Sequence, residues 1–251
     1  MRNIEKYTLS YLEDGFENYQ VVYRTKMLLE QIEKYNPKNI LEIGCGMEPL
    51  FCHTNNIDYT IIEPSKTFCE NAMKLSKNCN IKVHIINDFF GEKIAHNFGK
   101  KFDMIICSAL LHEVDEPESM LEDIFRICDD RTIVHVNVPN AKSFHRLLAK
   151  NMRIILNEYE ASERNIALQQ NTIFDLERLS SMLINHKFEI LDKGSYFIKP
   201  FTHKQMYDLI QKKIIDNRIL DGLYNMVSDL PMLGSEIFVN CRINIERRTD
   251  R

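Results

Sequence analysis

Gly44 and Gly46, on either side of Cys45, end the apolar run Asn39-Ile40-Leu41-Glu42-Ile43, and Pro49 follows three positions later. Glycine adopts backbone angles, and allows close approach, that a Cβ forbids. A helix begun at Pro49 would turn its unpaired N–H groups towards a ligand. Strand, glycine turn and helix start, in that order, make a nucleotide-binding corner. Glu63 ends the next apolar run about twenty positions on, where an acid can accept hydrogen bonds from ribose hydroxyls. Asp88 falls where a carboxylate can accept the exocyclic amine of adenine, with Phe89 covering the ring face; a plain turn aspartate is the alternative. Further along come groups that handle protons and anions: His112 beside Glu113, and His145 beside Arg146. Imidazole and carboxylate can act as bases, and a guanidinium suits an anionic group. A structural histidine and a surface ion pair are the competing roles. Tyr19 and Arg24 precede the corner and are placed to close over a bound ligand, with core and surface roles as the alternative.

The elements that must position these residues follow from apolar spacing. Residues 15–35 read as a helix through Phe16, Tyr19, Tyr23, Met27 and Ile32. After the corner, a helix is expected over 49–55, a strand over 59–63, and a helix capped by Ser65 running to about 77. Strands are expected over 81–86, 102–107 and 131–137, with a helix over 117–128 between the last two. The alternation then breaks. A loop and helix over 139–150 and a polar stretch over 157–171 precede a helix over 174–186 and a sixth strand from 188. Residues 202–227 are mostly helical, and 236–241 form a last strand. Five strand–helix units imply a parallel α/β sheet with right-handed crossovers, and the last two strands an antiparallel edge. Residues 1–36 form an N-terminal helical segment of one domain spanning 1–251, with 138–172 and 200–233 as insertions on the substrate side. His135, inside the fifth strand, reads as a core histidine.

At 251 residues, 44% hydrophobic and 27% charged, the composition is that of an ordinary globule. A net charge of −4 argues against nucleic acid as the main partner. No apolar run reaches membrane-spanning length, and Met1-Arg2-Asn3-Ile4-Glu5-Lys6 lacks the apolar core of a secretion signal, so a cytoplasmic location is expected. The seven cysteines form no Cys-x-x-Cys pair and read as reduced core residues. Glu113, Asp115 and Glu116 read as a solvated turn rather than a metal site, so no metal is expected.

Taken together, Leu41-Glu42-Ile43-Gly44-Cys45-Gly46, Ile61-Ile62-Glu63-Pro64-Ser65, Asn87-Asp88-Phe89 and Phe102-Asp103-Met104-Ile105-Ile106-Cys107-Ser108 resemble the class I S-adenosylmethionine-dependent methyltransferases in order and spacing. The resemblance implies a Rossmann-like seven-stranded sheet of order 3-2-1-4-5-7-6, the seventh strand antiparallel, with helices on both faces. It implies S-adenosylmethionine as cofactor. Gly44, Cys45 and Gly46 would pass beneath its methionine portion, Glu63 would hold the ribose, and Pro64 would contact the adenine. Asp88 and Phe89 would complete the adenine site, and Ser108 and Ala109 would line the far side. Glu48 stands where the family's turn often has a third glycine. The segment from Val136 to Ala149, which contains Asn140, His145 and Arg146, is similar to one in bacterial methyltransferases of sugar and polysaccharide clusters, as are Ser162-Glu163-Arg164 and Phe197-Ile198-Lys199-Pro200. That likeness implies a small polar, carbohydrate-related acceptor, with Arg146, Asn140, Tyr19 and Arg24 as candidate contacts and His145 or His112 as base for O-methylation. N-methylation, a nicotinamide-dependent oxidoreductase using the same corner, and a non-catalytic binding scaffold are the competing readings.

Overall fold

The computed structural model describes residues 3–98 and 101–245; the extreme ends of the expected 1–251 domain lie outside the described residues. In chain order the elements are α1 (Ile4–Glu13), α2 (Glu17–Tyr35), β1 (Asn39–Ile43), β2 (Asp58–Ile62), α3 (Lys66–Ser76), β3 (Val83–Ile86), α4 (Glu92–His96), β4 (Met104–Ser108), α5 (Pro117–Ile127) and β5 (Ile133–Pro139). There follow α6 (Phe144–Asn151), α7 (Glu163–Ala167), α8 (Leu176–Asn185), β6 (Phe188–Tyr196), α9 (His203–Gln211), α10 (Asn217–Asn225) and β7 (Glu236–Ile243). The strands form one sheet in the order β3-β2-β1-β4-β5-β7-β6. The pairs up to β5 are parallel, and β7 runs antiparallel to both β5 and β6. The carboxyl ends of β1 to β6 therefore share one edge, the side on which open α/β sheets bind ligands. Among the described residues no helix is long and apolar enough to cross a membrane.

Alternation along the strands sorts the side chains into two faces. Leu41, Ile105, Cys107, Val134, Val136, Ile237 and Val239 pack with Leu121, Ile124, Leu179 and Leu183 of α5 and α8 in an apolar layer. On the other face, Ile40, Ile61, Met104 and Ile106 pack beneath Tyr23, Met27, Leu28 and Ile32 of α2. This face also carries a polar stripe. His135 and Asn137 of β5, with Glu236 and Asn240 of β7, are buried, and α2 answers with Gln20, Arg24 and Gln31. Gln20 donates to Ser235 at 3.0 Å, Arg24 to Glu236 at 2.9 Å, and Asn240 donates to Gln31 at 2.8 Å. His135 is held between Asn240 and Asn137, as a core histidine should be, and burial lowers its pKa to about 4.

Two local expectations change. The helix expected over 49–55 is a single 3-10 turn, Leu50–His53. Its first N–H, from Leu50, points at the buried Glu42 carboxylate at 3.3 Å rather than at a ligand site. In addition, α1 precedes α2 as a separate helix, capped by the Asn3 side chain on the Lys6 N–H. Its inward residues, Ile4, Tyr7, Thr8 and Tyr11, follow helical spacing, which is the signal that could have found it.

Candidate active site

A cavity of about 530 Å³ opens at the carboxyl edge above β1, β2 and β4, a size suited to a small organic ligand. Gly44 and Gly46 form part of its wall with φ of +77° and +55°, angles that side-chain-bearing residues rarely adopt. Glu63, just past β2, fastens this turn. Its carboxylate accepts from the Cys45 N–H at 3.0 Å, the Gly46 N–H at 3.4 Å and the Ser65 N–H at 2.8 Å while lining the cavity. At the end of β4, Ala109 has φ of +50° and donates its N–H to the Asn137 carbonyl at 2.9 Å, which turns the chain along the cavity. Phe68, Phe89, Ile62 and Leu110 add apolar surface.

Two features of this cavity were not evident in the sequence. Ile4, Tyr7 and Tyr11 of α1 form one of its walls. Tyr11 stacks edge-on against Phe68, with ring centroids 5.6 Å apart, and the hydroxyls of Thr8 and Ser65 meet at 2.9 Å. Glu42, inside β1, reaches the cavity from beneath; burial raises its carboxyl to about 8, so it is largely protonated at neutral pH. Glu113, expected beside His112 as a candidate base, does line the cavity, and its carboxylate accepts from Gln170 at 3.3 Å.

The structure brings Gly44, Cys45, Gly46, Glu63, Pro64, Phe89, Ser108, Ala109 and Arg24 to the cavity, with Glu48 at its exposed rim. Other expected residues lie elsewhere. Asp88 is exposed beside the wall residue Phe89, and its carboxylate accepts from the Phe89 N–H at 2.8 Å. Asn140 is a structural tie, donating to the Met232 and Gly234 carbonyls at 2.9 Å each. Arg146 is spent on the carbonyls of Glu158 and Glu160, at 2.9 and 2.5 Å, where it closes the loop after α6. Tyr19 packs on Phe16 with ring centroids 6.0 Å apart. His112, only 3% exposed, lies beneath the turn with Nε2 3.6 Å from Glu113 and does not line the cavity.

Beside the cavity, Arg24 begins a ladder of buried charges. It donates to Glu17 at 2.8 Å and to both oxygens of Glu236. Glu236 also accepts from the Tyr196 hydroxyl. Glu17 and Asp14 are joined by Arg164 at 3.1 and 2.7 Å, and Asp14 contacts His203 at 3.1 Å. Burial alone would raise these acids, but their cations outweigh it: Arg24 holds Glu236 at about 2, and Glu17 and Asp14 are also held low. Asp14, Glu17 and His203 come within 4.8 Å of one another, a spacing a metal could use, yet the Arg164 guanidinium already bridges both carboxylates.

A glycine turn, an acid at the end of the second strand and a seven-stranded sheet with one antiparallel strand define an α/β nucleotide-type site of the Rossmann kind. Over residues 17–193 the sequence matches the family described as Methyltransferase domain, and the chain belongs to that family. No curated protein matches it. Among solved structures it is similar to the plantazolicin methyltransferase BamL, solved with S-adenosylhomocysteine, at 17% identity and a TM-score of 0.59, covering 96% of this chain and 95% of that one. A Thermotoga maritima protein described as a possible histamine N-methyltransferase matches at 16% identity, TM-score 0.59, over 93% of this chain and 97% of its own. NodS of Bradyrhizobium japonicum, an N-methyltransferase, matches at 10% identity, TM-score 0.54, over 93% and 90%. The cofactor is S-adenosylmethionine. The residues present fit it: positive-φ glycines, the Glu63 carboxylate and the apolar Phe89 and Phe68 faces suit an adenosyl amino acid.

Proposed function

We propose that the chain methylates a hydroxyl of a small polar acceptor, a sugar, phosphosugar or nucleotide-linked sugar, in the cytoplasm. The supporting observation is the character of the wall beyond the cofactor cavity. There Arg24 and Glu113 lead into a buried ladder of charged and hydrogen-bonding groups rather than into an apolar pocket. Such a wall suits an acceptor rich in hydroxyls, each of which needs a partner when buried. On this reading residues 138–172 and 200–233, which carry α6, α7, α9 and α10, are the cap over the acceptor, and Arg164 of the first segment ties it to the ladder through Asp14 and Glu17.

Methyl transfer from a sulfonium is an in-line displacement, and most of what the chain supplies is alignment of acceptor and methyl group. Gly44–Gly46 and Glu63 hold the donor, while the ladder fixes the acceptor. A second reading, N-methylation of a small amine, is favoured by Glu113, Asp115 and Glu116, whose carboxylates on the cavity wall would suit an ammonium group. A screen of sugar nucleotides, phosphosugars and amino sugars with methyl-labelled S-adenosylmethionine tests both. Label in a base-stable ether supports the first reading, and label on nitrogen alone replaces it with the second.

A further inference from the structure

The histidines differ in what they face. His145, expected as a base, has Nδ1 3.1 Å from the Ser143 hydroxyl and does not line the cofactor cavity. His84 lines a second cavity, of about 540 Å³, which shares no lining residue with the first. This cavity lies at the β3 edge of the sheet. Lys82, His84 and Ile86 alternate along the strand and so present one face, and Ile94, Asn97 and Phe98 close over it from α4 and the turn after it. The most buried lining residue is Thr60 of β2, 1% exposed, whose hydroxyl has no hydrogen-bond partner. Its neighbours across the sheet are Leu41 on β1 and His84 on β3. Leu41 is fully buried hydrocarbon, so a partner for the hydroxyl must come from the cavity side. A valine would fill the same volume and bury no polar atom.

We propose that this second cavity binds a small organic anion, a carboxylate carried on an apolar body. The donors on its wall are the Thr60 hydroxyl, the His84 ring and the Lys82 ammonium, and among the described residues no acidic side chain lines it. Thr60 and His84 are register partners on adjacent strands, about 4.8 Å apart. The two oxygens of one carboxylate can bridge that span, one accepting from the hydroxyl and the other from the ring N–H. Lys82, exposed and two residues along β3, adds a positive charge at the mouth. The Asn97 amide N–H is turned away to the Lys93 carbonyl at 2.9 Å. The rest of the wall is hydrocarbon from Ile86, Ile94 and Phe98. It suits a ring or a short branched chain and offers a polyhydroxylated body few partners. The assignment does not depend on the acceptor of methylation. α4 stands between the two cavities, with Glu92 on the wall of the first and Ile94 on the wall of the second, so they can be filled separately.

The test uses the full chain, 15N-labelled and saturated with S-adenosylhomocysteine so that the cofactor cavity is closed to the probe. Sodium benzoate is titrated at neutral pH, and the amide signals are followed. Saturable shifts at His84, Asn97 and their neighbours, with a midpoint of about 1–10 mM for a fragment of this size, support the proposal. No saturable shift, or shifts confined to other parts of the chain, overturns it. Thr60→Val keeps the volume and removes the hydroxyl, and should weaken benzoate at least about tenfold, while Thr60→Ser stays within about threefold of wild type. Equal affinity in Thr60→Val, or an equal loss in Thr60→Ser, overturns the role of the hydroxyl. Urea unfolding checks the free protein: Thr60→Val should be as stable as wild type or more so, and a lower midpoint would mean that the hydroxyl is already paired within the fold, which overturns the proposal. Three further probes fix the class of ligand. Benzamide keeps the ring without the charge, and acetate and inorganic phosphate keep a charge without the ring. Each should bind more weakly than benzoate; benzamide binding as tightly overturns the anion, and acetate or phosphate binding as tightly overturns the apolar body.

Discussion

Removing the Arg24 guanidinium should reverse the acid response of the fold. Glu236 ionises at about 2 beside Arg24, against 4.5 for an ordinary glutamate, a preference for the charged form of about 3 kcal/mol. Because the folded value is the lower one, this stability is fully present above pH 4.5 and is lost as the pH falls towards 2. In Arg24→Met the same carboxylate, still 4% exposed, faces burial with only Tyr196 and Asn137 as hydrogen-bond donors, and Glu17 keeps only Arg164. Breaking a buried ion pair from one side costs about 3–5 kcal/mol. The variant should therefore lose that much at pH 7 and become more stable, not less, as the pH is lowered from 7 to 5, since protonating Glu236 now relieves it. Glu236→Gln introduced into Arg24→Met should recover about 2 kcal/mol. Urea unfolding of the four proteins, at pH 7 and 5, measures all of this in one cycle. Losses that add to within about 0.5 kcal/mol would refute the coupling, and an unchanged acid slope in Arg24→Met would refute the reading of Glu236 as a charge held by Arg24.

Three further outcomes are expected. Glu63→Ala removes the acceptor that fastens the Cys45 and Gly46 N–H groups; S-adenosylhomocysteine affinity measured by calorimetry should fall at least about tenfold, roughly the 1.4 kcal/mol of one charge-assisted hydrogen bond. Gly46→Ala places a Cβ at φ +55° and 3.5 Å from the Tyr11 hydroxyl, and should cost about 1–2 kcal/mol in urea unfolding. Tyr11→Ala takes away the ring that packs on Phe68 across the cavity, so stopped-flow dissociation of S-adenosylhomocysteine should quicken severalfold while the far-ultraviolet spectrum is kept.

Much of the fold could be read from the sequence because the parallel strands are short, nearly continuous apolar runs buried on both faces, and most are followed by a helix of clear period. The glycine turn and Glu63 were legible for the same reason, since a local pattern fixes them. What escaped was set by distant partners. Asp88 was readable either as a ligand group or as a turn residue, and its bond to the Phe89 N–H holds the carboxylate beside a residue of the cavity wall. Arg146 and Asn140 look like free polar groups until the loop carbonyls they bind, up to 94 positions away, are brought against them. Lys199 falls in the Phe197-Ile198-Lys199-Pro200 segment singled out above, yet nothing local announces that Phe16, Arg164 and Glu236 lie around it.

The placement of α1 has a kinetic consequence. The helix walls the cofactor cavity and is fastened by the Thr8–Ser65 hydroxyl contact, by the Tyr11–Phe68 ring pair and, through Asn3, by hydrogen bonds of 3.0 and 3.1 Å with Gln169 just past α7. Fastenings of this kind contribute about 1 kcal/mol each, so lifting the helix costs on the order of 3 kcal/mol and leaves roughly one molecule in a hundred open at any moment. Gln169 lies in the 138–172 segment proposed as the acceptor cap, and on that reading the same movement loosens both compartments. On that reading spent donor and methylated product would leave through one opening event, whose frequency would set a ceiling on turnover.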